Sequence, residues 1–280
     1  MTLEPLQIPE LLRRHHLSPQ KSLGQNFLAD HNVLLKIVRD AGVEKDDEVL
    51  EIGAGLGSLT RVLAVNAKKV VAVEIDDHLF PVLQEVTEDY NNVQLVKGDI
   101  LGIDMAELFQ SDGYKVVANI PYYITSAVVR HLLETSAKPS KIVLTMQREV
   151  AERITNADEK MSLLSLSVQI YGKAHITHHI PASCFIPEPK VDSSVLVIDV
   201  YPEPKLSKQE TQIMFHLAHA AFNQKRKMMR SSLRSIFDGG QEETKDILES
   251  SSIDPQARPE ALSLEDWIRL THFVKNLKSL

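Results

Sequence analysis

The sequence holds a single cysteine, Cys184, among 280 residues. That excludes an intrachain disulfide and any cysteine-based metal cluster. No apolar run approaches membrane-spanning length. The N-terminal stretch MTLEPLQIPELLRRHH lacks the apolar core of a secretory signal. A cytoplasmic protein with no membrane partner is expected. Internal repeats and low-complexity tracts are also missing. A net charge of −7 argues against a protein that is basic all over, although nucleic-acid binding needs only a local basic surface. What is present is ordinary for a globular chain: 43% hydrophobic and 25% charged residues. The length is great for one core and points to one large domain plus a smaller one, or to two domains.

Residues 1 to 25 read as irregular, with basic residues at Arg13, Arg14 and Lys21. From Asp30 to Ala41 the apolar positions Val33, Leu34, Ile37 and Val38 have helical spacing, with Asp30 as N-cap and Gly42 as the stop. Valine-rich runs follow at Val49–Ile52, Val70–Ile75, Val93–Val96 and Lys115–Ala118, with a fifth at Ile142–Met146, and segments of helical character separate the first four. This alternation predicts a parallel sheet covered on both faces, an α/β fold with right-handed connections. A short charged helix is expected over 147 to 154. Residues 162 to 171 fit helix or strand, because so short an apolar run does not decide between the periods. Ala174–Ile180 and Ser193–Tyr201 read as strands that pair as an antiparallel hairpin on the sheet edge.

The segment YPEPKLS at 201 to 207 has two prolines and reads as a linker. Beyond it the pattern is helical: one or two helices over 208 to 236, a break at Asp238-Gly239-Gly240, a helix over 241 to 252, and a last one from Ser263 to about Leu277. The last opens on the capping-box pattern Ser263-Leu264-Glu265-Asp266. The division expected is a catalytic domain over 1–201 and a small helical domain over 202–280.

Glycines 53, 55 and 57 in VLEIGAGLGSLT come directly after the first strand. Glycine permits a sharp turn and the close approach of a ligand. The spacing is G-x-G-x-G, shorter than the G-x-G-x-x-G of dinucleotide sites. It suits a cofactor without a pyrophosphate, such as S-adenosylmethionine. Strand two ends near Glu74, about 20 residues past the first glycine, where an acidic residue holds ribose hydroxyls in doubly wound folds. Gly98-Asp99 follows strand three, where a carboxylate can accept from an exocyclic amine. Strand four ends at Asn119. Each of these three polar residues also fits the duty of an ordinary strand-end cap. Their joint occurrence at the C-terminal ends of successive strands, where open α/β sheets bind ligands, favours a site.

The exit from strand four, Asn119-Ile120-Pro121-Tyr122, is more specific. Pro121 cannot donate to a ladder and pushes Ile120 into an extended conformation. The Ile120 and Pro121 carbonyls then stand as acceptors beside the Asn119 side-chain oxygen. Paired acceptors suit an –NH2 group, and Tyr122 offers a ring on which a base can stack, worth about 1–3 kcal/mol. The ligand inferred is an amino-bearing base, adenine.

SLGQNFL, EIGAGLGSLT, EID, GDI, NIPYYITS and FIPEPKVDSSV occur in the order found in the ribosomal RNA adenine dimethyltransferases, and the chain resembles that family over roughly 20 to 280. AFNQKRKMMRSSL and RPEALSLEDW resemble its small-subunit (16S-type) branch. The resemblance implies a Rossmann-like class I methyltransferase sheet with a small C-terminal helical domain. It implies S-adenosylmethionine as methyl donor. It also implies conversion of two adjacent adenosines near the 3′ end of small-subunit RNA to N6,N6-dimethyladenosine. Asn26, Leu28, Gly53, Gly55, Glu74, Asp99 and Asn119 would contact the cofactor. Asn119, Pro121 and Tyr122 would hold the target base, with Phe185 as a second aromatic wall. The chain departs from the family's frequent leucine at Ile120 and proline at Ala54. The partner implied is 16S rRNA within a small subunit or its precursor, and the chain is expected to act as a monomer.

Lys225, Arg226, Lys227, Arg230 and Arg234 fall in a stretch without one carboxylate. They are expected on a broad helix face that contacts RNA phosphates, with Arg13, Arg14 and Lys21 adding to it. His178 and His179 read as edge-strand or surface histidines, no metal site is expected, and Cys184 reads as packing. The turn Met146-Gln147-Arg148-Glu149 fits either the base pocket or a helix N-terminus. Three other readings are a non-enzymatic ribosome-assembly or transcription factor on this fold, a large-subunit rRNA adenine dimethylase, and a nicotinamide oxidoreductase. The glycine spacing and the lack of a catalytic lysine–tyrosine or histidine arrangement disfavour the last.

Overall fold

The structure is a computed structural model that describes residues 3–121, 124–155, 160–224 and 226–277. Among the described residues, seven strands form one sheet: β1 (Glu48–Ile52), β2 (Lys69–Glu74), β3 (Val93–Lys97), β4 (Lys115–Asn119), β5 (Lys141–Gln147), β6 (Gly172–Ile180) and β7 (Ser193–Val200). Their order is β3-β2-β1-β4-β5-β7-β6. The five from β3 to β5 are parallel, with Glu48 opposite Lys69 and Asn119 opposite Thr145. β7 runs antiparallel to β5, Lys141 facing Asp199 and Gln147 facing Ser193. Val70, Val71 and Ala72 are consecutive and all 0% exposed, so both faces of the sheet are covered, as a parallel sheet requires. From β1 the chain builds outward to β2 and β3 on one side and later to β4 and β5 on the other. The C-terminal ends of β1 and β4 therefore flank the switch point of the topology, where open α/β sheets leave a crevice.

Local chemistry accounts for the elements around this crevice. Asp30 caps the helix His31–Asp40 by accepting from the Asn32 and Val33 amides at 2.9 and 3.1 Å. Leu34, Ile37 and Val38 of that helix are buried, and Gly42 follows at φ +60°. The first 25 residues are more ordered than their sequence implied. Ile8–Arg14 is a helix and Lys21–Leu23 a 3-10 turn. Ile8, Leu11 and Leu12, at i, i+3 and i+4, pack with Phe27, Leu56, Leu79 and Val82. Phe27-Leu28 then pairs antiparallel with Phe185-Ile186. His178 and His179 lie on the edge strand β6, one of the two readings given to them, but His178 is not at the surface. Its side chain is only 9% exposed and its Nδ1 lies 2.8 Å from Asp40 Oδ2, while His179 Nδ1 meets Ser194 Oγ at 2.7 Å. Cys184 packs against the main core.

The chain divides into two compact units, Met1–Glu152 with Lys173–Pro202, and Arg153–Gly172 with Glu203–Leu280. One division falls between Pro202 and Glu203, and residues 153–172 go with the helical unit. The reason is burial. Leu163–Tyr171 is a helix, and its Leu166 and Ile170 share a core with Met214, Leu217, Phe222, Trp267 and Leu270. Within that unit Ser263 and Asp266 form the reciprocal cap read from the sequence, Asp266 Oδ2 accepting from the Ser263 amide at 2.8 Å and Ser263 Oγ from the Asp266 amide at 3.1 Å. Among the described residues, no helix is long and apolar enough to cross a membrane.

Candidate active site

A cavity of about 220 Å³ lies in the crevice. Asn26, Gly53, Gly55, Glu74, Asp99, Asn119, Pro121 and Phe185 all line it. Leu28 does not. Its side chain is 3% exposed and belongs to the core, and its neighbour Phe27 reaches the cavity instead. Tyr122, like Lys225, lies outside the described residues. Leu23, Gly24, Gln25 and Ile124 also line the cavity and were not anticipated; neither were Ile75 and Leu101. The last two are 52% and 38% exposed, so the cavity mouth offers apolar surface to a flat ring. Among the described residues, no group of three or more His, Cys, Asp or Glu is placed to hold a metal ion.

The glycine loop follows β1 with Gly53, Gly55 and Gly57 at φ +72°, +59° and +84°. At Gly55 an added Cβ would sit 3.3 Å from the Phe27 ring and fill the cradle. Glu74, 5% exposed, holds this loop. Its Oε2 accepts from the Gly55 amide at 2.7 Å, and its Oε1 from the Ile75 and Asp76 amides at 2.9 and 2.8 Å. Three of the roughly four acceptor positions of a carboxylate are thus used, leaving one on Oε2 for a ligand hydroxyl. Burial raises the Glu74 pKa, the Asp76, Gly55 and Ile75 amides oppose the rise, and the charge of Asp76 adds to it. Asp99 caps the following turn through Oδ1 and the Leu101 amide at 3.0 Å, a duty that leaves its second oxygen unused.

Asn119 ends β4 and donates from Nδ2 to the Asn26 carbonyl at 3.1 Å. A primary amide presents its oxygen opposite its nitrogen, so Oδ1 is the end left for a ligand. The Pro121 carbonyl is less free than expected, because it accepts from the Ile124 amide at 3.2 Å. Phe185, 3% exposed, is brought to the cavity by the pairing of Leu28 with Phe185 and of Phe27 with Ile186.

Beneath the glycine loop, Glu51 on β1 is 1% exposed. Burial pushes its pKa up to about 8, and the charge of Glu74 adds to the rise. The nearby Thr60 hydroxyl pulls the other way, yet it does not reach hydrogen-bond geometry, and among the described residues Glu51 Oε2 has no partner. The native state keeps Glu51 neutral between 4.5 and about 8, whereas the unfolded chain ionises it near 4.5. Over that window the folded state binds the extra proton, so stability falls as pH rises, by at most about 1.4 kcal/mol per pH unit. Glu51→Gln removes the penalty. Its Tm gain over wild type is expected to be close to nil near pH 4.5 and to grow to several degrees near pH 8. Melting curves across that range check this, and a gain independent of pH would contradict it.

The basic cluster is arranged differently from the expected helix face. The helix Lys208–Phe222 ends before it. Arg226 and Lys227 are exposed on the following turn. Arg230 lies in the short helix Met229–Ser232, half-buried, with a buried Nε that has no partner among the described residues. Arg234 is exposed beyond it. In the other unit Arg13 and Lys21 are exposed, and Arg14 pairs with Glu85.

Comparison with known proteins places this geometry. The family model described as ribosomal RNA adenine dimethylase matches residues 17–276. Ribosomal RNA small subunit methyltransferase A of Enterococcus faecalis is 39% identical over 285 residues, covering 98% of this chain and 96% of that one. Among solved structures, a dimethyladenosine transferase from Plasmodium falciparum aligns with a TM-score of 0.74 at 26% identity, covering 89% of this chain and 98% of the other. The 23S rRNA methyltransferase ErmE aligns at 0.69 and 26% identity, covering 89% and 100%.

Proposed function

The chain belongs to the ribosomal RNA adenine dimethylase family, and on that premise we propose that it transfers methyl groups from S-adenosylmethionine to N6 of two adjacent adenosines near the 3′ end of 16S rRNA. The product is N6,N6-dimethyladenosine, made during small-subunit biogenesis. The observation that carries the reading is Asn119, at the end of β4 and on the wall of a glycine-lined cavity, with its Nδ2 taken by the Asn26 carbonyl and its oxygen left over.

The residues present fit the donor. Gly53 and Gly55 let it approach the backbone, the open acceptor position of Glu74 suits one ribose hydroxyl, Asp99 suits the adenine amine, and Ile75 and Leu101 flank a flat ring. When bound, S-adenosylmethionine supplies an electrophilic methyl on a sulfonium. The residues of the chain do the rest. An aromatic amine is a poor nucleophile because its lone pair is delocalised into the ring. Asn119 Oδ1 and the Ile120 carbonyl accept from the target amine, hold its nitrogen in line for transfer, and stabilise the positive charge that develops there. Phe185, on the cavity wall, covers one face of the base. After the first transfer and loss of one proton to water, one N–H remains, so one acceptor loses its bond and the pocket admits a methyl group on that side. The target adenosines must be unpaired or flipped out to enter.

The helical unit is assigned the RNA contacts, acting in the cytoplasm and as a monomer. Replacing Lys225, Arg226 and Lys227 by alanine is expected to flatten the salt dependence of small-subunit binding, each lost phosphate contact reducing the log–log slope by about 0.7–0.9. Titrations at several salt concentrations check this; an unchanged slope would remove the patch from the interface. The likeness to ErmE keeps large-subunit RNA as the second substrate to exclude. Mass spectrometry of both ribosomal RNAs from cells lacking the protein, before and after its restoration, decides between them. Dimethyladenosine that vanishes from 16S rRNA and returns is the expected result. A change confined to 23S rRNA, or none in either RNA, would overturn the reading, the latter in favour of a non-enzymatic assembly factor.

A further inference from the structure

We propose that Asp76 and Gln25 are positioning residues that set the orientation of Asn119 through the loop 20–26. The inference rests on the reading of Asn119 as the group that holds the target amine. The loop lines the cavity from Leu23 to Asn26 and is fastened at both ends. At one end Gln25 Nε2 and Gln20 Nε2 donate to Asp76 Oδ2 at 2.6 and 3.1 Å, and the Gln20 amide donates to Gln25 Oε1 at 2.7 Å. At the other end the Asn26 carbonyl takes Asn119 Nδ2 at 3.1 Å, while Asn26 Nδ2 reaches back to the Gly24 carbonyl at 3.0 Å.

Asp76 is built for this duty. It is 4% exposed, and its other oxygen, Oδ1, lies 3.0 Å from both the amide and the Nδ1 of His78. Both oxygens are thereby used twice, which fills the acceptor capacity of a carboxylate. Burial works against its charge, but the His78 amide, the Gln25 side chain and the His78 ring outweigh it and hold the pKa low. The Asp76 amide in turn donates to Glu74 Oε1 at 2.8 Å. One turn after β2 thus anchors the glycine loop through Glu74 and the N-terminal loop through Asp76.

The consequence for chemistry lies in the symmetry of an amide. Flipping Asn119 about its side-chain axis would present –NH2 to the target –NH2, two donors facing each other. Among the described residues, the Asn26 carbonyl, at the position the latch gives it, is the group that favours the productive orientation. Released, the loop loses that preference and the acceptor is misplaced.

Gln25→Glu and Asp76→Asn each break the latch with almost no change of shape. The first replaces the donor by a second carboxylate facing Asp76. The second cannot accept on both sides at once. Combined, they restore it with the polarity reversed: the amide introduced at 76 still accepts from His78 and donates to the carboxylate introduced at 25, while the Gln20 side-chain amide turns over to accept its second N–H. Single-turnover methylation of unmethylated small subunits, at saturating S-adenosylmethionine, reads the effect. Each single variant is expected to be at least ~10-fold slower, and the double variant to recover most of the loss. Half-buried Gln25 carries the test if Asp76→Asn does not fold. Single variants at the wild-type rate, or a double variant no faster than the singles, would overturn the latch. Asn119→Ala in the same assay separates the two claims: if it is inactive, such a failure falls on the latch alone, and if it is active, both the site reading and the latch fall.

Discussion

Asn119→Ala is expected to lower the single-turnover rate of methyl transfer by at least ~10²-fold, the scale seen when one preorganised hydrogen-bonding group is removed from a transition state. Binding of S-adenosylmethionine should weaken far less. The asymmetry follows from position. On the proposed reading the cofactor's contacts would be spread over Gly53, Gly55, Glu74 and Asp99, which line the cavity at the ends of β1, β2 and β3, whereas Asn119 at the end of β4 would supply the side-chain oxygen that meets the reacting nitrogen. The substitution also frees the Asn26 carbonyl, which now accepts from Asn119 Nδ2. Asn119→Asp is an informative companion. It keeps an acceptor oxygen but turns its other oxygen toward that carbonyl, so it too should be slow. Rapid-quench kinetics and calorimetry on both variants check the split. Near-normal turnover in either, or a loss confined to cofactor affinity, would contradict the role given to this amide.

Glu74→Gln is expected to show the opposite profile, a loss of cofactor affinity of roughly 10- to 100-fold before any effect on the chemical step. Glu74 accepts from three backbone amides, one on Oε2 and two on Oε1. Glutamine has one oxygen. In one orientation its –NH2 faces the Gly55 amide, in the other those of Ile75 and Asp76. A buried N–H left unpaired costs about 1–3 kcal/mol, and each 1.4 kcal/mol is about a factor of ten in affinity. The glycine loop loses its tether and the last acceptor position for a ribose hydroxyl goes with it. Calorimetric titration with S-adenosylmethionine reads the effect, and binding within about twofold of wild type would refute the assignment.

How much of this was legible in the chain depends on the range of the interactions. The five parallel strands were readable because each is a short apolar run that carries valine, and the crevice because the glycine loop, Glu74, Asp99 and Asn119 follow successive strands. The two readings of those acidic residues, cap or ligand contact, proved compatible: Glu74 and Asp99 each use part of a carboxylate to fix the backbone and keep the rest. The helix Ile8–Arg14 escaped notice because only Ile8, Leu11 and Leu12 mark its buried face. Helical periodicity alone carried the basic residues past Phe222, since no glycine or proline marks the turn that follows. Residues 153–172 were placed in the first domain because nothing local in Leu166 or Ile170 says which core they enter. The duties of Asp76 and of the Asn26 carbonyl were illegible for the same reason. Their partners lie 51 to 56 and 93 residues away, and no spacing rule spans such distances.

The central claim is that the Asn119 side-chain oxygen receives the exocyclic amine of a splayed-out adenine. The most direct measurement is a structure of the chain with the demethylated cofactor product and an RNA carrying the target adenosine. The account predicts Asn119 Oδ1 within about 3 Å of adenine N6, with Nδ2 still on the Asn26 carbonyl. An amide turned away from the base, with N6 held by other groups, would contradict it.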